Sequence, residues 1–262
     1  MEPGVVFNAT SQTLSEVDFQ FGQSAQLFHL IQVGTYAEGM RADEIHMSGE
    51  SEILSSGAAD TYIYIRSGQA QITVQGPDSP KGENLDIESG SVLHIRSQET
   101  FKITAAQELV LFIVSVPDIS GPYARKQVHE SKNFRRKVQQ GLNAIGAATG
   151  NREYEVLFDA ENGSSGATMF VGFIPPSGAP AHYHLYDEIC QIIKGAGQLH
   201  VGTTVQPLSE GSTFAVVPRL LHSVVNNTAE NLWILGTFRP EGSPAAAYYP
   251  DGKPAPGYSE VS

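Results

Sequence analysis

Apolar and polar residues alternate over short stretches through most of the first 120 positions. Gln26-Leu27-Phe28-His29-Leu30-Ile31-Gln32-Val33, Thr61-Tyr62-Ile63-Tyr64-Ile65, Ala70-Gln71-Ile72-Thr73-Val74 and Leu109-Val110-Leu111-Phe112-Ile113-Val114 are rich in β-branched and aromatic residues, and each is about strand length. No stretch there repeats at the helical period. Ser67-Gly68 separates two of these segments and predicts a hairpin turn, and Gly76-Pro77-Asp78-Ser79-Pro80-Lys81-Gly82 predicts a surface loop. From 117 to 150 the pattern breaks. Pro117, Gly121 and Pro122 interrupt it, and Arg125-Lys126 and Lys132-Asn133-Phe134-Arg135-Arg136-Lys137 form a basic cluster, which predicts a solvated linker with a helical turn. Strand-like segments resume near Tyr154 and run to about Thr237. From Arg239 onward Pro, Gly, Ala and Tyr predict an extended arm over the C-terminal domain or a partner subunit, with Tyr248, Tyr249 and Tyr258 as its apolar anchors. The pattern thus divides the chain into a domain over 1–120, a partly helical linker over 121–150, a second domain over 151–240 and an arm over 241–262.

The two strand-rich regions repeat each other. With Gly68 set against Gly195, Ser67-Gly68-Gln69-Ala70-Gln71-Ile72-Thr73-Val74 runs parallel to Lys194-Gly195-Ala196-Gly197-Gln198-Leu199-His200-Val201. A second anchor follows: Leu85-Asp86-Ile87-Glu88-Ser89-Gly90-Ser91 matches Gln206-Pro207-Leu208-Ser209-Glu210-Gly211-Ser212. Both halves are therefore read as copies of one all-β unit of roughly 110–120 residues. Short, regularly spaced strands of this kind close into a barrel or sandwich that hides its edges.

Composition narrows the function classes. A net charge of -12 over 262 residues argues against a nucleic-acid or anionic-membrane surface. The single cysteine, Cys190, excludes an internal disulfide and fits a reducing compartment. No apolar run approaches the roughly 18 residues that span a bilayer. Met1-Glu2-Pro3-Gly4 opens no secretory pattern. The expectation is a cytoplasmic protein with a small-molecule substrate, no nucleic-acid partner and no membrane partner; a homodimer is admitted but not required.

The chemistry concentrates in Ala181-His182-Tyr183-His184-Leu185-Tyr186-Asp187-Glu188. Residues two apart on a strand share a face, so His182 and His184 can converge, with Glu188 arriving after a short bend. Two imidazoles and a carboxylate suit a borderline divalent metal such as zinc, manganese, iron or nickel. Alternation from Glu188 turns Cys190 and Ile192 inward and Gln191 outward; alternation from His222 turns Val224 and Asn226 inward. Cys190 is read as a small buried hydrophobe. His200 lies beyond Gly195 and is not read as a ligand. His29, His46, His94 and His129 are read as surface or satisfied histidines.

The C-terminal half resembles the cupin superfamily. The first family motif reads Gly178-Ala-Pro-Ala-His182-Tyr-His184-Leu-Tyr-Asp-Glu188 followed by Gly195, and the second reads Gly211, then Pro218-Arg219-Leu220-Leu221-His222-Ser-Val-Val-Asn226. The resemblance covers about 165–237 and, through the repeat, about 25–115. It implies an all-β fold of two tandem jelly-roll barrels, with one divalent ion (Fe, Mn, Ni or Zn) held by His182, His184, Glu188 and His222. The family often has Gly where this chain has Arg219. In the N-terminal copy the places of His182, His184 and Glu188 fall on Ser55, Gly57 and Thr61, and that of His222 on Phe101. None is an ordinary metal ligand, and His46 and Asp60 nearby do not match the motif. The first barrel is therefore expected to lack metal and to pack against the second as a pseudo-dimer half.

The resemblance implies a metal-dependent bicupin enzyme whose small organic substrate chelates the ion. A dioxygenase is the first expectation; an isomerase or lyase of a sugar acid or keto acid is the alternative, and a non-enzymatic small-ligand-binding cupin is the third. The ligand set alone does not choose between them. Tyr186 is the candidate catalytic residue, and Arg219, Arg239 and Asn226 are the candidate substrate contacts.

Overall fold

The computed structural model of the chain describes residues 5–8, 16–17, 21, 25–32, 39–117, 133–148, 151–164 and 166–254. The first half contributes β1 (Glu16–Val17), β2 (Gln26–Ile31), β3 (Arg41–Glu50), β4 (Leu54–Ser55), β5 (Ala59–Ser67), β6 (Gln69–Gly76), β7 (Ser79–Glu88), β8 (Ser91–Ile95) and β9 (Thr100–Pro117). A short β10 (Lys137–Gln139) adds to β8, completing the sheet order β1-β2-β3-β9-β5-β8-β10, with β4 and the β6–β7 hairpin hung on the first part of β9. The second half contributes β11 (Ile145–Ala148), β12 (Arg152–Phe158), β13 (Thr168–Ile174), β14 (Asp187–Lys194), β15 (Gly197–Val201), β16 (Thr204–Leu208), β17 (Thr213–Val216), β18 (His222–Val225) and β19 (Leu232–Arg239). These form the sheets β11-β12-β13-β19-β14-β17 and β16-β15-β18. The fold is all-β, with two jelly-roll barrels in tandem. No helix among the described residues is long and apolar enough to cross a membrane.

The repeat anchors are backbone devices. Gly68 and Gly195 turn β5 into β6 and β14 into β15 at φ 90 and 89, a left-handed conformation that costs other residues a clash. Gly90 (φ 81) and Gly211 (φ 86) do the same before β8 and β17. Each is followed by a serine whose Oγ accepts a backbone N–H three residues back, Glu88 to Ser91 at 3.1 Å and Ser209 to Ser212 at 2.9 Å.

Strands at the junction of the barrels are buried on both faces, and so read as continuous apolar runs rather than alternating ones. On β5, Ile63 and Ile65 enter the first barrel's core, while Tyr62 and Tyr64 enter a core shared by both halves. On β14, Cys190 and Ile192 face the second barrel's interior and Ile189 faces the shared core. The outward Gln191 is buried there, its Nε2 donating to Thr213 Oγ1 at 3.1 Å and to Glu44 Oε2 of the first barrel at 3.3 Å. Tyr62 and Ser164 join the halves through their hydroxyls at 2.5 Å.

Several expectations differ from the structure. Within the stretch read as a loop, only Pro77-Asp78 turns; β6 and β7 continue through the rest, with Gly76 opposite Ser79. Pro80 is tolerated because β7 pairs only with β6 and leaves its other edge open. Among the described residues of the linker, 133–148, there is no helix, and Lys137–Gln139 is a strand of the first barrel's sheet. Arg125, Lys126, His129 and Lys132 lie outside the described residues. The chain's beginning also reaches across: Phe7 pairs with Thr213 of β17. The arm lies along the second barrel, Tyr248 exchanging backbone hydrogen bonds with Tyr183 at 2.8 and 2.9 Å and stacking on its ring, while Tyr258 lies outside the described residues.

Candidate metal centre

Three short elements bring the motif together. His182 and His222 face each other across an antiparallel bridge, exchanging backbone hydrogen bonds of 2.9 and 3.0 Å. Arg219 donates its backbone N–H to His184 O at 2.8 Å, tying the turn before β18 to the His-x-His segment. Glu188 stands on β14 between Val216 and Phe238. All four side chains are buried and line one cavity in the second barrel, about 70 Å³ in volume.

The imidazoles are pinned alike. Nδ1 of His182 lies 2.7 Å from Pro180 O, Nδ1 of His184 3.2 Å from Tyr186 O, and Nδ1 of His222 2.9 Å from Leu220 O. Each carbonyl accepts the ring proton, so each Nε2 presents a lone pair, the arrangement of a metal-ligating histidine. Burial pushes His182 down to about 2, helped by His222 and Arg152. Burial likewise pushes His222 down to about 4, helped by His184. Both rings are neutral at pH 7. The ring centres lie 4.5 Å (His182–His222), 5.1 Å (His184–His222) and 6.3 Å (His182–His184) apart. With metal–nitrogen bonds of about 2 Å, ring centres on one ion are separated by about 4.5 Å at right angles and about 6 Å when nearly opposite.

His184 Nε2 also lies 2.9 Å from Glu188 Oε2, yet it makes no hydrogen bond there. With its proton on Nδ1, an imidazole lone pair faces a carboxylate oxygen, and that contact is relieved only by a cation or a proton between them. The donors fit a metal in type and orientation. They are not drawn up as a coordination shell: among the described residues no group of three or more His, Cys, Asp or Glu side chains has the spacing of a formed cage. The backbone pins fix the rings, whereas the Glu188–His184 contact needs only side-chain torsions to open.

Tyr186 lines the same cavity, its ring stacked between His184 (4.1 Å) and Phe238 (4.0 Å). Burial, with Glu188 and Cys190 nearby, raises its phenol well above the ordinary range, so it remains a donor. Burial, then Glu188, likewise keeps Cys190 a thiol. The expected substrate contacts sit elsewhere. Asn226 is consumed by the turn between β18 and β19: its Nδ2 donates to Ile174 O and Glu230 O, and its Oδ1 accepts from Thr228. Arg239 is buried opposite Asp187 in the β14–β19 ladder and does not line the cavity. The Arg219 side chain is exposed; its φ of 66 shows why a glycine suits that position. His200 lies 3.2 Å from Gln198 Oε1, outside the cavity.

Arg152 is the cavity residue that sequence reasoning missed. It opens β12, far ahead of the motif, and burial lowers its guanidinium below the usual range while Tyr186, Glu188 and Tyr249 support the charge. The available signal was a lone arginine two residues before Tyr154, which also reaches the cavity.

The first barrel reproduces the scaffold without the donors. Val74 pairs with Phe101 as Val201 pairs with His222. Gln98, also at φ 66, donates to Gly57 O at 2.7 Å as Arg219 does to His184 O. Thr61 pairs with Ile95 as Glu188 pairs with Val216. Phe101 bridges Leu54, however, so the counterpart of His182 is Leu54 rather than Ser55. The segment before Gly57 is one residue longer, which a count back from Gly68 cannot detect. Each described first-barrel histidine pairs with a carboxylate, His29 with Asp43, His46 with Glu44 and His94 with Asp60, although the buried Nδ1 of His94 has no hydrogen-bond partner.

Among curated proteins none matches the sequence. Residues 169–237 match the Cupin domain family. A point mutant of Bacillus subtilis oxalate decarboxylase is similar in structure, with a TM-score of 0.71 and 12% identity over 96% of this chain and 80% of that one. A structure of the same enzyme described by its Mn(II) centres gives a TM-score of 0.69 at 13% identity over 96% and 80%. A cupin 2 conserved barrel domain protein from Leptotrichia buccalis gives 0.60 at 13% over 92% of this chain and 98% of that one. The second barrel is thus a cupin domain over residues 169–237, and the chain as a whole has the two-barrel fold of these structures.

Proposed function

We propose that the second barrel holds a divalent transition metal through Nε2 of His182, His184 and His222 and the carboxylate of Glu188. On this reading the protein is an enzyme acting on a small organic substrate that chelates the ion. The observation that carries the reading is the buried His184 lone pair set against Glu188, with all three imidazoles pinned at Nδ1. Manganese, iron, nickel and zinc all suit three imidazoles and a carboxylate, and manganese is the first to test because oxalate decarboxylase, similar in fold, has Mn(II) centres. When bound, the ion supplies Lewis acidity and open positions for a chelating ligand.

The chain's own residues select the substrate. A cavity of about 70 Å³ is well below the roughly 300–1,000 Å³ of ordinary ligand pockets, so the bound molecule has few heavy atoms. Arg152 supplies a cation on the cavity wall suited to a carboxylate. Tyr186 buttresses His184 and offers a phenolic proton, and Phe214, Val224 and Ile234 exclude water.

A non-oxidative lyase or isomerase reaction on a small carboxylate fits Arg152 and the cavity size best. A dioxygenase is the second reading, favoured by the apolar wall and the open positions of a four-donor site. Oxygen uptake separates them when protein loaded in turn with Mn(II), Fe(II), Ni(II) or Zn(II) is given small keto acids, hydroxy acids and oxalate. Turnover without stoichiometric oxygen uptake supports the lyase or isomerase, and turnover that stops under anaerobic conditions supports the dioxygenase. Absence of turnover with every metal in both atmospheres overturns the enzyme reading.

A further inference from the structure

The first barrel has lost the metal donors but not its hollow. A cavity of about 330 Å³ opens where the second barrel has its candidate centre, and Leu54, Thr61 and Phe101, the counterparts of three donors, line it. Close-packed interiors leave few voids larger than a water molecule, and this one has a built polar wall. Asp43 lies inside the barrel with its side chain 7% exposed. Its Oδ1 is 2.7 Å from His29 Nδ1 and its Oδ2 is 3.0 Å from Arg41 Nε. The strand ladder fixes this wall: His29 stands opposite Asp43, and Arg41 and Thr61 flank Ser115. Most of the rest of the lining is apolar and includes Leu27, Ile45, Leu54, Ile113 and Phe101.

We propose that the first barrel is a metal-free binding site for a neutral, hydroxyl-rich small molecule of the pyranose sugar class. Arg41 and Asp43 cancel each other's charge, so the wall favours neither an anion nor a cation. An anion would compete with Asp43 for Arg41, and a cation would compete with Arg41 for Asp43. What the wall offers a neutral ligand is a row of fixed donors and acceptors, since a carboxylate holding two partners retains lone pairs for more, and Thr61 and Ser115 add hydroxyls. The apolar lining, Phe101 among it, suits the C–H groups of a pyranose. The volume lies at the lower end of the range for small organic ligands. The two barrels then bind different molecules, one at a metal and one at an ion-paired wall.

The test uses the full chain. Methyl α-D-glucopyranoside, methyl α-D-mannopyranoside and methyl α-D-galactopyranoside are titrated by saturation-transfer NMR, with glucuronate and glucosamine as charged counterparts. The expected result is saturable binding of at least one neutral glycoside, weakened about tenfold or more in Thr61→Val and Asp43→Asn and unchanged in His222→Ala. Arg41→Gln removes the same ion pair from an exposed position and keeps the test readable if Asp43→Asn does not fold. No saturable binding of any of the three glycosides to the unmodified chain overturns the proposal. So does tighter binding of either charged sugar, or binding lost in His222→Ala and retained in Thr61→Val.

Discussion

The two barrels share turns and register and differ in what fills the middle. Where the second has His182, His184, Glu188 and His222, the first has Leu54, Gly57, Thr61 and Phe101. Where the second has Leu220 beside its histidine turn, the first has the buried Glu99. Glu99 holds Arg136 and Arg96, clamping the start of β10, within the linker, onto the first barrel. One backbone plan thus supports a ring of metal-type donors in one copy, and in the other an ion-paired cavity with an ionic clamp beside it and no metal-type donor at the four positions. The difference shows that the turns, not the site, carry the fold: the scaffold holds with or without the four donors.

Four tests bear on this contrast, beginning with the largest effect. His182→Ala or His222→Ala is expected to abolish bound metal, measured by elemental analysis, while circular dichroism keeps the β-sheet spectrum. Unchanged metal content in both variants would remove the site assignment. Phe101→Ala, at the matching place in the first barrel, should leave metal content intact and cost about 3–5 kcal/mol in denaturant unfolding. A loss of metal there would mean that the copies are not independent.

Glu99→Gln should cost about 3 kcal/mol at pH 7 by stranding the buried Arg136. Burial alone would raise this carboxyl, but Arg136 first and then Arg96 outweigh it and hold it below its ordinary value of 4.5. Its stabilisation is therefore complete above 4.5 and lost as pH falls through the lowered native value. The difference between Glu99→Gln and the unmodified chain should narrow over that window, and a gap that stays constant down to acid pH would contradict the clamp. The smallest effect belongs to the paired turn residues. Arg219→Gly and Gln98→Gly each remove a left-handed side chain at φ 66, and each should stabilise by about 0.5 kcal/mol, the relief of strain being partly offset by backbone entropy. Effects of opposite sign at the two positions would break the equivalence.

Much of this was legible in the residues. Gly68, Gly90, Gly195 and Gly211 announced the duplicated turns because glycine is the residue that left-handed turns tolerate. The spacing of Phe101 from Gly90 placed it at the His222 position, as the β6–β9 pairing shows. The Leu54 register was not legible, because a single extra residue between β4 and Gly57 leaves no compositional trace. Asn226 was drawn toward the site by alternation, which does not register that a turn consumes its side chain, and Arg239 by its charge, which does not register where β19 places it. Arg152 was missed for the converse reason: it reaches the cavity from β12, and no local spacing links that strand to the motif.

The most direct measurement is an anomalous diffraction map of crystals grown from Mn(II)-loaded protein. The account predicts a single strong peak in the second barrel, bounded by His182, His184, Glu188 and His222, and none in the first. A peak in the first barrel, or no peak among those four side chains, would contradict it.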